Sequence, residues 1–191
     1  MKLPRSLAGV ALAALVLAGC AGRDAVHQGA GDTYSFVTGT ALGQTYPVAD
    51  RRKAGSFTGT LLSGRTLTLE QSAGRVVVIN FWATWCGPCT TETPQFDLVY
   101  RGYKAKGVDF IGIDTKDIRS KAEAFVRDNN ISYPIVFDEK SETALRLGRI
   151  PALAFPFTVI VDKHARVAVV YLNKLAAKDL QRLLDKLLAE S

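Results

Sequence analysis

"VVVINFWATWCGPCTTETP", Val76 to Pro94, carries a run of β-branched and aromatic residues straight into two cysteines three positions apart. The run as far as Trp82 suits a strand buried on both faces. A helix is expected to begin around the cysteines and to continue to about Lys106, bent at Pro94. This strand-to-helix junction gives the two thiols different tasks. Cys86 falls at the helix N-terminus, where unpaired backbone N–H groups and the positive end of the helix dipole favour a thiolate. Its pKa should lie below the free value of about 8.5, which makes it the nucleophile. Cys89 lies on the same helical face within disulfide reach. From there it can attack a mixed disulfide on Cys86 and release the partner.

The elements on either side follow from their patterns. Upstream, "SFTGTLLSGRTLTLE" alternates about Ser63-Gly64 and predicts a β-hairpin. Downstream come "VDFIGID" as a strand, "RSKAEAFVRDNN" as a helix, "YPIVFD" as a strand and "SETALRLG" as a short helix. "FTVIVD" and "RVAVVYL" read as a strand pair turning at Lys163 to Ala165. The last helix, "AKDLQRLLDKLLAE", carries Leu180, Leu183, Leu184, Leu187 and Leu188 as one apolar stripe, which is core packing. Strands alternating with helices and closing on an antiparallel pair indicate an α/β domain with a mixed sheet covered by helices on both faces. Residues 55–191 suffice for a single core.

The chain begins "MKLPRSLAGVALAALVLAGC", with Lys2 and Arg5 ahead of an apolar run from Leu7 to Ala18. A membrane span needs about 20 apolar residues, so the run is short for a retained helix and has the layout of a signal peptide. "LAGC" resembles the lipobox of bacterial lipoproteins, which implies removal of residues 1–19 and a lipid on Cys20. The alternative is an ordinary signal peptide that happens to contain a cysteine. Residues 20–54, rich in Gly, Ala, Thr and Asp, read as a tether between lipid and domain, with Tyr34, Phe36, Val37 and Tyr46 able to lie on the domain.

With Cys20 assigned to lipid, only one pair of the three cysteines remains. An exported protein usually pairs cysteines for structure. The loop between Cys86 and Cys89 is too short for chain-entropy stabilisation to be its main purpose, so the pair is chemical. The net charge of +6 is spread along the sequence and carries no nucleic-acid signature; it suits an anionic membrane surface or acidic partners.

"FWATWCGPC" resembles the active site of the thioredoxin superfamily, and more narrowly of the TlpA-like and ResA-like membrane-tethered thiol-disulfide oxidoreductases. The resemblance runs from about Phe57 to Leu188 and implies a thioredoxin fold with an N-terminal hairpin and a strand-bearing insertion between Asp114 and Phe155. "PFTVIVD" matches the family's segment after its cis-proline, which makes Pro156 the candidate, with Pro151 and Pro134 as rivals. Trp85, Gly87, Pro88 and Phe155 are the implied substrate-contacting residues. Thioredoxin has a buried Asp six residues before its first cysteine; here that place is Asn80, which cannot titrate. Glu92 in "CTTETP" matches a glutamate of the ResA-like proteins and is the candidate to exchange a proton with Cys89, the alternative being a solvated first-turns glutamate.

What the resemblance implies is an enzyme with no cofactor beyond the Cys86–Cys89 disulfide. It is expected to be monomeric, lipid-anchored on the extracytoplasmic side of a bacterial membrane, and to act on protein thiols and disulfides with a membrane electron donor or acceptor as partner. A reductant of the cytochrome c maturation type is expected over a disulfide-forming oxidase. The other reading on the same fold is a copper-delivery module, but that family has three residues between its cysteines and a distal ligand histidine. Only His27, in the tether, and His164, in a predicted turn, are available, which also disfavours zinc with its four ligands. A peroxidase of the peroxiredoxin type would place Thr three positions before the cysteine, whereas Thr84 is two before.

Overall fold

All seven residues of Val76–Trp82 are buried, and the strand they form is the centre of a sheet. The computed structural model describes residues 43–148, 150 and 154–190. The signal peptide, Cys20, His27, Tyr34, Phe36, Val37 and Pro151 lie outside the described residues. In chain order the elements are β1 (Gly43–Thr45), β2 (Thr58–Thr60), β3 (Thr66–Thr68), β4 (Val76–Trp82), α1 (Gly87–Tyr103), β5 (Val108–Thr115) and α2 (Arg119–Asp128). Then follow β6 (Ile135–Asp138), α3 (Thr143–Gly148), β7 (Phe157–Val161), β8 (Val167–Tyr171) and α4 (Ala177–Ala189).

Six strands form a mixed sheet in the order β1-β8-β7-β4-β5-β6. β4, β5 and β6 are parallel, while β7 and β8 return antiparallel, with Phe81 opposite Phe157 and Val77 opposite Val161. Two successive steps in one direction, β4 to β5 to β6, each by a right-handed crossover, put α1 and α2 on the same face. Phe96, Val99 and Tyr100 of α1, Phe125 and Val126 of α2 and Leu180, Leu184 and Leu187 of α4 accordingly pack in one cluster with Val78, Trp82 and Phe110. The other face is covered more thinly, by Tyr46, the hairpin leucines Leu61 and Leu67, and Ala144 and Leu147 of α3. Helices thus lie on both faces as expected, three on one and a short one on the other.

The β2–β3 hairpin is a separate sheet that lies against the β6 edge, with Leu61 bridging Val136 and the Leu62 amide donating to the Ile135 carbonyl at 2.9 Å. α1 runs unbroken through Pro94 to Tyr103; a one-turn 3-10 helix, Lys104–Lys106, then ends at Gly107 in the left-handed region, φ 94°. Gly112 in β5 is required by close approach: a Cβ there would stand 2.4 Å from Ile135 Cδ1 and 3.1 Å from Trp82 Nε1. The missing side chain leaves room for the Trp82 indole.

The packed domain starts before residue 55, where composition drew its boundary. β1 adds an edge strand to β8, with Gly43 opposite Tyr171 and Thr45 opposite Val169. Arg51 is buried and donates to Asp162 Oδ2 at 3.2 Å, to both Glu190 oxygens at 2.5 and 2.9 Å, and to the Tyr46 carbonyl at 3.0 Å. The segment "DRRKAG", hydrophilic and therefore read as tether, is thus pinned to the β7–β8 turn and to the end of α4 by one guanidinium. Removing one partner of a buried pair costs about 3–5 kcal/mol. Asp162 also accepts from the His164 and Arg166 amides and pairs with Arg166, so Arg51→Ala is expected to cost about 3 kcal/mol, the lower end of that range. The urea midpoint would fall at unchanged slope.

Candidate active site

β4 delivers the chain at its C-terminal end to Ala83, Thr84 and Trp85, and Cys86 caps α1. The Cys86 sulfur accepts the Cys89 amide at 3.3 Å, and the two cysteines are joined as a disulfide with their Cα atoms 5.2 Å apart. Gly87 and Pro88 form the first turn and are exposed. Their exposure and the capping geometry follow from sequence: Pro has no N–H to leave unsatisfied in a first turn, and Gly needs no room for a side chain. Cys86 is 6% exposed and Cys89 fully buried, so of the two only Cys86 keeps any exposed surface.

Beside the pair, the Phe155–Pro156 peptide is cis, immediately before β7. Phe155 packs partly buried on the cluster that contains both cysteines. The Trp85 ring, 57% exposed, meets Phe155 edge-on at 5.6 Å. Of the residues picked from sequence as substrate-contacting, Trp85, Gly87 and Pro88 are exposed on either side of Cys86 in the chain, and Phe155 meets the Trp85 ring. His164 is elsewhere: it follows β7 at the end of the sheet opposite to the one where β4 releases the cysteines.

Glu92 is not a solvated glutamate. It is fully buried on α1, three residues beyond Cys89; i,i+3 neighbours on a helix have Cβ atoms about 5–6 Å apart. Its Oε2 accepts from Asn80 Nδ2 at 2.9 Å and its Oε1 from the Leu175 amide at 2.6 Å. Burial pushes its carboxyl up to about 7, against the pull of these two donors and of Lys174. Asn80, on β4, also donates to Thr158 Oγ1 at 3.1 Å, so the amide ties the carboxyl of α1 to β7.

Sequence reasoning missed the grip on the loop ahead of Cys86. Asp117, in the turn after β5, accepts from the Thr84 amide at 2.5 Å and the Thr84 hydroxyl at 2.8 Å. The Trp85 indole N–H donates to the Lys116 carbonyl at 3.0 Å. Two carboxyls, Asp114 near the C-terminal end of a central strand and Asp117 just past it, were the available signal, because open α/β sheets build their sites at that end.

A disulfide poised at a helix N-terminus, a buried carboxyl behind it and a cis-proline before the neighbouring antiparallel strand, on this sheet order, define a redox protein of the thioredoxin class. The Redoxin family matches residues 47–185. The chain belongs to that family, among the ResA-like thiol-disulfide oxidoreductases of the thioredoxin superfamily. Thiol-disulfide oxidoreductase ResA of Bacillus thuringiensis subsp. konkukian is 30% identical over 136 residues, 71% of this chain and 77% of its own. ResA of Geobacillus kaustophilus is 28% identical over 152 residues, 78% of this chain and 80% of its own. Among solved structures, a DsbF homologue from Corynebacterium diphtheriae superposes with a TM-score of 0.76 at 31% identity, over 81% of this chain and 99% of its own. A secreted thiol-disulfide isomerase from Corynebacterium glutamicum gives 0.77 at 31% identity, over 83% and 99%.

Proposed function

We propose that this oxidoreductase works as a reductant, held by lipid on Cys20 at the extracytoplasmic face of a bacterial membrane and delivering electrons to disulfides of protein substrates of the kind met in cytochrome c maturation. The observation that carries the direction is the buried Glu92 carboxyl behind Cys89. A negative charge there disfavours thiolates, and a redox pair whose reduced, ionised form is destabilised gives up its electrons more readily. Strong oxidants do the reverse, by stabilising the reduced form.

In the forward reaction the Cys86 thiolate attacks one sulfur of the substrate disulfide, and the other substrate sulfur leaves as a thiolate that takes up a proton. Glu92 carboxylate accepts the Cys89 proton. Cys89 then attacks Cys86, the second substrate sulfur leaves as a thiolate that also takes up a proton, and the substrate holds two more electrons as a dithiol. The resulting Cys86–Cys89 disulfide is restored by a dithiol on a membrane electron donor. Trp85, Phe155 and Pro156 line the approach to Cys86. Against the copper-delivery reading, the one histidine among the described residues, His164, lies at the end of the sheet away from the thiols.

The test is the potential of the couple, measured by equilibrating the protein with thiol–disulfide buffers. A value near that of thioredoxin, about −270 mV, is expected. A value near about −120 mV, typical of a strong oxidant, would reverse the assigned direction.

A further inference from the structure

Asp114 is fully buried at the end of β5, and among the described residues neither of its carboxyl oxygens accepts a hydrogen bond from an N–H or O–H donor. A charge in such a place is costly unless paired. Its neighbour is another acid, and beyond burial itself the Asp117 charge raises the Asp114 carboxyl. Asp117 already accepts from the Thr84 amide, the Thr84 hydroxyl and the Ile118 amide, the last at 2.7 Å. With its lone pairs turned to three donors, Asp117 is an anion, and Asp114 is satisfied only as the acid, its O–H donating to Asp117.

We propose that Asp114 and Asp117 form a proton-sharing carboxyl pair that positions the Thr84–Trp85–Cys86 loop, and that loss of the shared proton releases this grip. Neither residue touches a reacting sulfur; both are positioning residues acting through Thr84. While Asp114 keeps its proton, Asp117 is held against the loop from both sides. Once the proton has gone to solvent, two neighbouring carboxylates repel each other, and Asp117 relieves the repulsion by moving off Thr84.

The charged groups around Asp114 support this. Burial and the Asp117 charge both push its carboxyl up, to about 8, and Arg119 at the start of α2 opposes them. Arg119 is itself engaged, its guanidinium 4.4 Å from the Phe137 ring centroid on β6 and 3.7 Å from Glu123. From β4 the residue level with Asp114 is Trp82, which is not titratable. From α1 the buried acids are Glu92 and Asp97, and Asp97 is turned to Arg101 and Ser132. Burial pushes the Asp117 carboxyl up, but the hydrogen bonds from Thr84 and Ile118 together outweigh it and hold the group below the usual carboxylate range.

The test uses the oxidised full-length protein, in which neither Cys86 nor Cys89 titrates. Carboxyl-carbon NMR of the aspartate-labelled protein is expected to show one aspartate titrating above pH 7, and Asp114→Asn to remove that signal. Tryptophan fluorescence should follow the same midpoint in the parent and in Glu92→Gln, and lose the transition in Asp114→Asn, whose amide donates to Asp117 at every pH. A merely structural role would leave no pH-dependent fluorescence to lose. If Asp114→Asn does not fold, the parent NMR titration still decides. All aspartates titrating below pH 6, or an Asp114→Asn fluorescence curve superimposable on the parent's, would overturn the proposal.

Discussion

Cys86→Ser is expected to reduce disulfide exchange to the uncatalysed level, and Cys89→Ser to stop after one half-turnover as a covalent protein–substrate complex. The asymmetry comes from access. Cys89 is wholly enclosed, whereas Cys86 keeps a small exposed face beside Trp85, Gly87 and Pro88, so an incoming disulfide meets Cys86 first. The helix N-terminus stabilises the charge on Cys86, and the amide of Cys89 points at the Cys86 sulfur. A serine hydroxyl at position 86 has no comparable anion at neutral pH, so the step fails outright. A serine at position 89 leaves the first attack intact and removes only the resolving thiol. Non-reducing electrophoresis of Cys89→Ser with a disulfide substrate should show a shifted band that dithiothreitol abolishes. Preferential alkylation of Cys89 in the reduced parent, or normal turnover of Cys89→Ser, would reverse the assigned roles.

The parts of this site that were legible in the sequence are the ones that depend on local order. The buried run to Trp82, the two cysteines and Pro88 specify a strand, a turn and a capped helix within a dozen or so residues, and neighbours in sequence must be neighbours in space. The α4 leucines were legible for the same reason: a stripe on one helix has one meaning, although Leu183 and Leu188 are only partly covered. Pro156 was placed by its position before "FTVIVD", and the Phe155–Pro156 bond is indeed cis. What stayed hidden arises between distant segments. Nothing near Glu92 in sequence says that Asn80 and the Leu175 amide will enclose it, 12 and 83 positions away. Nothing in "DRRKAG" says that Arg51 will find Glu190, 139 positions on. β1 is three residues long and mostly exposed, so it lacks the apolar alternation by which strands are recognised.

Glu92→Gln should change both stability and the pH dependence of exchange while leaving the fold intact. The folded protein holds the Glu92 proton up to about pH 7, against an ordinary glutamate value of 4.5. A carboxyl raised on folding contributes stability that is complete below the unfolded pKa and is lost as pH rises through the folded one. One pKa unit is about 1.4 kcal/mol, so the loss across this window is on the order of 3 kcal/mol. Gln does not titrate, so the stability of Glu92→Gln relative to the parent should climb from about pH 4.5 and level off above about pH 7. The pocket accepts the amide: Oε1 keeps the Leu175 N–H, and turning the Asn80 amide presents its oxygen both to the new Nε2–H and to the Thr158 hydroxyl. In the reduced protein the carboxylate and the thiols titrate as a unit, and the negative charge raises the thiol pKa values. Removing it should move thiol ionisation to lower pH and erase the inflection near neutrality in the exchange rate. Urea unfolding and thiol titration across the same pH range measure the two effects separately. A stability gain with superimposable thiol curves would leave Glu92 as a buried structural acid and return the Cys89 proton to another acceptor.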